Sequence, residues 1–188
     1  MKYFKPELFV AFNSEDVQMA NEAARAWEQA VTAYDKHLKT IRRRLPPKVR
    51  ELSKLHLHDA EFVALGKDVT VPDARSATLV VKQGRPLTVL VYFLLEEPRV
   101  TAPINDKVFS SQGVHWLYDE LDLLGPTDII HEILFSDGSV YRFRFRHLAI
   151  LTIREHAAAF APQHEQTRQP VKGRPVRSLP PRRKAATA

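Results

Sequence analysis

DIIHEILFSDGSVYRFRF, residues 128–145, holds two β-rich halves around an Asp137-Gly138 pair. Asp-Gly between such halves is the strongest short-range signal for a two-residue type I′ hairpin turn. That turn pairs Ser136 with Ser139, Leu134 with Tyr141, Glu132 with Phe143 and Ile130 with Phe145. One face then carries Ile130, Leu134, Tyr141, Phe143 and Phe145 toward a core, with Glu132 among them. The opposite face carries Ile133, Phe135 and Val140 near the turn, and His131 with Arg142, Arg144 and Arg146 farther from it. Those last four side chains are the binding candidates of the sequence.

Outward from the hairpin, strand-like segments continue on both sides. Leu148–Ile153 reads as a last strand, and Val114–Leu124 as a strand closed by Gly125-Pro126. Ser76–Lys82 and Leu87–Leu95 flank Gln83-Gly84-Arg85-Pro86 as a second hairpin. Leu87–Leu95 is apolar at both periods, which places it at the centre of a sheet, buried on both faces. Ala60–Leu65 is a further strand before a turn at Gly66-Lys67-Asp68. Glu96–Gly113, with prolines at 98 and 103, reads as loop.

The N-terminal third has a different period. Ala20, Ala24, Trp27, Val31, Tyr34, Leu38, Ile41 and Leu45 recur at steps of four and three, the stripe of one long helix that packs across a sheet. Asn13 or Ser14 is placed to cap it, and Pro46-Pro47 ends it. Tyr3–Phe12 suits a short edge strand or an extended arm, and Pro47 suits the first turn of a second helix through about Leu55. The fold class is α+β, with the long N-terminal helix packed on an antiparallel sheet of six or seven strands.

Composition limits the chemistry. The 188 residues contain no cysteine, which removes thiolate metal sites and cysteine nucleophiles. The N-terminus has no signal-peptide h-region, and no apolar run approaches the roughly 20 residues of a membrane helix, so a soluble cytoplasmic protein without membrane contact is expected. The formal charge is +6, yet residues 162–188 hold seven Lys/Arg and one acid, leaving 21 of each sign in residues 1–161. Residues 1–156 are read as one domain, and 157–188 as a basic, proline-rich disordered tail in which residues 168–184 offer a contact for an anionic polymer.

Two clusters could carry chemistry. His56, His58 and Asp59 in LHLHD put two imidazoles two residues apart. On an extended segment these share a face and could hold a zinc ion with the carboxylate beside it. LHLHD resembles the HxHxD start of the metallo-β-lactamase-type hydrolase motif, except that Asp59 follows His58 directly and the next histidine is missing. A third ligand would have to come from His115 or His131. The second cluster is the Arg142, Arg144 and Arg146 row, which suits phosphate or nucleic acid, or else pairs internally with Asp119, Glu120 or Asp122 on a neighbouring strand. HEILF at 131–135 lacks the second histidine of a zincin and sits on a strand, where that motif does not function. No glycine-rich phosphate loop and no G-x-S-x-G elbow occurs, and no cofactor is implied.

The MKYF start, Leu57-His58-Asp59-Ala60, Tyr118-Asp119-Glu120 and Phe135-Ser136-Asp137-Gly138 together resemble an uncharacterised bacterial family of small α+β proteins of unknown function. The resemblance covers about residues 1–153 and implies a fold without an assigned activity. The function expected from the residues is non-enzymatic: an adaptor or immunity-like protein that recognises another macromolecule, most simply a protein. A metal-dependent hydrolase using His56, His58 and Asp59, and a nucleic-acid-binding protein using the arginine row and the tail, are the alternatives.

Overall fold

Seven antiparallel strands make one sheet among the described residues, which are 1–68, 75–104 and 113–154 of this computed structural model. They are β1 (Glu61–Asp68), β2 (Ser76–Lys82), β3 (Leu87–Leu94), β4 (Arg99–Val100), β5 (Trp116–Gly125), β6 (Asp128–Phe135) and β7 (Val140–Ile153). The order is β1-β2-β3-β7-β6-β5, with the two-residue β4 against β7. The sheet curls into a half-barrel whose edges touch at an antiparallel bridge between Glu61 and His115. There the N–H of Phe62 donates to the Val114 carbonyl and that of Trp116 to the Ala60 carbonyl, both at 2.8 Å. Alternation then gives each strand an inner and an outer face. Leu79, Val81, Leu90, Tyr92, Ile133, Phe135, Phe143 and Phe145 fill the interior.

The hairpin at 135–139 is where the structure departs most from the sequence reading. It pairs Leu134 with Val140, Ile133 with Tyr141, Glu132 with Arg142, His131 with Phe143 and Ile130 with Arg144. The turn has three residues. Gly138 N–H donates to the Phe135 carbonyl, Phe135 N–H donates to the Ser139 carbonyl (both 2.9 Å), and Gly138 sits at φ +79°. Asp137 is not at positive φ. Its Oδ1 instead accepts from the Ser139 N–H (2.9 Å) and hydroxyl (2.6 Å). A type I′ turn needs positive φ at both central residues, whereas a glycine bulge needs it at one. The extra residue slides the register by one, which exchanges the faces of β6 relative to β7. His131 therefore joins Phe143 inside, and Glu132 joins Arg142 outside.

The helices are α1 (Pro6–Phe12), α2 (Val17–Ile41) and α3 (Pro47–Leu52). Residues 6–12 are helical rather than a strand, because Pro6 at the first turn needs no N–H partner. Only residues 1–5 form the arm. Asp16 caps α2, accepting from Gln18 and Met19 N–H at 2.8 and 3.1 Å, rather than the Asn13 or Ser14 expected just before it. The helix closes at Ile41 as Arg44 N–H bonds the Ile41 carbonyl, short of Leu45. Trp27 is 9% exposed and meets Phe4 and Tyr118 at ring distances of 5.6 and 4.8 Å. With Leu134 and Val140 these rings form a second core between α2 and the outer face of the β5–β6–β7 meander.

Gly138 is the residue on which the hairpin register rests. A Cβ there would stand 3.1 Å from the Ile104 Cβ, while a Cβ on Gly84, also at positive φ (+67°), meets nothing within 4 Å. Gly84→Ala should cost about 1–2 kcal/mol of left-handed strain, and Gly138→Ala distinctly more, as read from urea denaturation midpoints.

Candidate functional site

The outer face of β5, β6 and β7 concentrates charge, and the charges are engaged with one another. Glu120 and Glu132 stand directly opposite on β5 and β6, an arrangement that costs energy unless each carboxylate has its own donors. Glu120, only 5% exposed, accepts three successive backbone N–H groups, from Lys2 (2.8 Å), Tyr3 (2.7 Å) and Phe4 (2.6 Å). Consecutive amides converging on one anion form a backbone nest, and here it clasps the arm to the sheet. Glu132 accepts from Arg142 at 3.1 Å and from the Met1 amino group at 3.3 Å. Arg144 forks onto Asp128 at 2.8 and 2.6 Å and reaches Glu96 at 3.2 Å.

The arginine row is thus an internal ion-pair ladder at Arg142 and Arg144, through Glu132, Asp128 and Glu96 rather than the Asp119, Glu120 and Asp122 expected. Asp122 pairs instead with His37 of α2 at 3.2 Å. Arg146 is exposed at the β7 bulge, with no ion-pair partner among the described residues. A cavity of about 440 Å³ opens beside the arm, lined in part by Met1, Lys5, Arg99, Glu132 and Arg142. The Arg142 Nε is buried and has no hydrogen-bond partner among the described residues.

His131, expected on the arginine face, is fully buried on the opposite one. Its Nδ1 lies 2.8 Å from the Tyr92 hydroxyl and its Nε2 3.2 Å from Asp119 Oδ2. A ring donating through Nε2 to Asp119 and accepting at Nδ1 from Tyr92 satisfies both neighbours. Burial, and then the Asp119 charge, push the Tyr92 hydroxyl well above its ordinary range, which keeps it a donor. Asp119 also accepts from the Trp116 indole at 3.3 Å. The sequence reading makes Asp119 an arginine partner and does not single out Tyr92, because the sequence does not show that β3 and β5 flank the β7–β6 pair and bring both side chains to His131.

His56, His58 and Asp59 do not assemble into a metal site. His58 and Asp59 form a turn, with Asp59 at φ +64°. The His58 Nδ1 sits 3.2 Å from Asp59 Oδ1 and its ring against Tyr118, while the carbonyls of His56 and His58 accept from Gln83. His115 Nδ1 is 3.3 Å from the Asp59 carbonyl, and His131 is committed inside the barrel. Among the described residues no three metal-ligating side chains converge, which removes the hydrolase alternative.

The remaining half of the barrel surface has the opposite character. On β3 the odd residues Leu87, Val89, Val91 and Phe93 point outward, opposite Ile153, Leu151, Ala149 and His147 of β7. Val80 and Ala64 extend the row of Val89 and Leu151 across β2 and β1. Phe93, Leu151 and Ile153 are 45%, 51% and 53% exposed, and none of these outer residues belongs to either core. Leu87–Leu95 is central in the sheet, as its composition implied, yet buried on one face only.

No protein-family model matches the chain, and no curated protein is significantly similar to it. No helix among the described residues is long and apolar enough to cross a membrane.

Two measurements check the clasp and the ladder. Glu120→Ala should destabilise by at least the roughly 1.5–3 kcal/mol of one charge-assisted hydrogen bond, and should raise hydrogen exchange at Lys2, Tyr3 and Phe4. The hydrogen bonds from Arg144 hold the Asp128 carboxyl below its ordinary 3.8. A carboxyl lowered by folding adds stability that is present above its unfolded value and is lost as pH falls through the folded one. The wild type should therefore lose more melting temperature on acidification than Asp128→Asn does.

Proposed function

We propose that this chain is a cytoplasmic, non-enzymatic binding module that recognises another protein. The observation that carries the reading is the apolar outer face on β1, β2, β3 and the C-terminal half of β7, where half-buried Val80 and Val89 lie with exposed Phe93, Leu151 and Ile153 outside both cores. Contiguous apolar surface of this kind marks a place where another surface docks. The residues with chemical capacity support the same reading through their present partners. His131 is held between Tyr92 and Asp119, Glu132 between Arg142 and the chain terminus, and Arg144 between Asp128 and Glu96. Side chains committed in this way serve the fold rather than a substrate or a phosphate backbone. An adaptor or immunity-like role is the class this suits. Residues 168–184 act in this proposal as an accessory contact for an anionic polymer, weakening steeply with salt.

A photo-crosslinking amino acid in place of Leu151 tests the reading in an extract of the source cells. It should capture one recurring protein, a control in place of exposed Glu28 on α2 should not, and Phe93→Asp should abolish the adduct. Equal, indiscriminate labelling from both positions would contradict it.

A further inference from the structure

The apolar face is fringed mainly by positive charge. Arg75 precedes β2, Lys82 ends it, Arg85 lies in the β2–β3 turn, Arg146 stands at the bulge of β7, and Arg154 follows its last residue. All but the half-buried Lys82 are exposed. The acids on that fringe are Glu61, directly opposite Lys82 in the register, and Asp68, so the fringe stays net positive. Nearby Glu96 and Glu97 are already taken up, Glu96 by Arg144 and Arg99 and Glu97 by Lys67. The five fringe cations have no ion-pair partner among the described residues, unlike Arg99, Arg142, Arg144 and Lys67 of the same barrel. A structure that pairs its arginines on one half and leaves them open around an apolar patch on the other has placed charge where a partner can answer it.

We infer that this face docks an acidic amphipathic segment of a partner protein, an inference that rests on the binding role proposed above. Its aliphatic side chains would lie on the Val80–Val89–Leu151 row and its carboxylates would meet the cationic fringe. Burial of the aliphatic row supplies affinity, and the fringe supplies rate and selectivity. A second copy of the chain is a poorer occupant, since it would set the cationic fringe against itself. Residues 162–188 have the same fault, with seven Lys/Arg and one acid. Single-stranded nucleic acid answers the charge but needs successive aromatic rings for its bases, and of the outward residues named on these strands only Phe93 is an aromatic of that kind.

Methyl NMR on the full chain, labelled at Val, Leu and Ile, reads the occupant directly. The probe is a designed peptide of about 18 residues, long enough to hold a helix, with leucines on one face and glutamates along its flanks. A twin carries lysines in place of the glutamates. The acidic peptide should shift the methyls of Val80, Val89, Val91 and Leu151 and bind at least about tenfold tighter than its twin, a difference of roughly 1.4 kcal/mol. Leu151→Asp should lose that binding while keeping its circular dichroism. Phe93→Asp is the replacement should Leu151→Asp unfold. The combined Arg75→Glu, Arg146→Glu and Arg154→Glu variant should reverse the preference. Equal affinity for both peptides at the same methyls would overturn the acidic partner and leave the binding face standing. Shifts that follow protein concentration alone, or that appear only with phosphatidylserine vesicles, would overturn it in favour of a second copy or a lipid surface. Methyls unmoved by every probe would overturn the inference, and the absence of a specific crosslink from position 151 would then overturn the binding reading with it.

Discussion

One additional residue in a turn governs this structure. Ser136, Asp137 and Gly138 reverse the chain where two residues would have sufficed, and Gly138 at φ +79° accommodates the extra one. Because the side-chain period of a strand is two, that single residue decides which partners meet across the hairpin. Tyr141, Phe143 and Phe145 turn inward opposite Ile133, His131 and Ile129. Arg142 and Arg144 turn outward opposite Glu132 and Ile130, within reach of Glu132 and Asp128. With a two-residue turn, one strand or the other would have had to bury its charges.

The two halves of the barrel surface follow from that sorting. On the β5–β6–β7 half, charges find partners and the arm and α2 cover what remains, with Glu120 gripping the arm through three amides and Trp27 sealing the second core. Leu121 N–H donates to the Tyr34 hydroxyl at 2.8 Å, fixing helix to strand. β7 is long enough, at 14 residues, to pass from this half into the other. Its outward residues change from Arg142 and Arg144 to Ala149, Leu151 and Ile153 as it does so. The apolar face and the ion-pair ladder are thus two ends of one strand, and the proposed function belongs to the apolar end.

Much of this was legible in the chain. The α2 stripe announced a helix on a sheet, and Ser76–Lys82 with Leu87–Leu95 announced their hairpin almost to the residue, because local periodicity and turn chemistry specify such elements. Internal pairing is expected from a body balanced in charge, and Arg142 and Arg144 do pair, though with other acids than those expected and without Arg146. What escaped was set by geometry that sequence expresses ambiguously. Asp-Gly serves both a type I′ turn and a glycine bulge, and the choice between them moved His131 from surface to core. A strand apolar on both faces reads the same whether both faces enter a core or only one does, as at Val89 and Val91. LHLHD looked like ligands because of its spacing, but among the described residues no further ligating side chains converge on it.

The α-protons of the hairpin test the sorting most directly. In an antiparallel pair the non-hydrogen-bonded positions bring Cα atoms to about 4.5 Å, close enough for strong nuclear Overhauser contacts between α-protons. The three-residue turn predicts such contacts for Leu134 with Val140, Glu132 with Arg142, and Ile130 with Arg144. Contacts of Phe135 with Val140, Ile133 with Arg142 and His131 with Arg144 would show a two-residue turn instead, and with it a different division of core, ion pairs and apolar face.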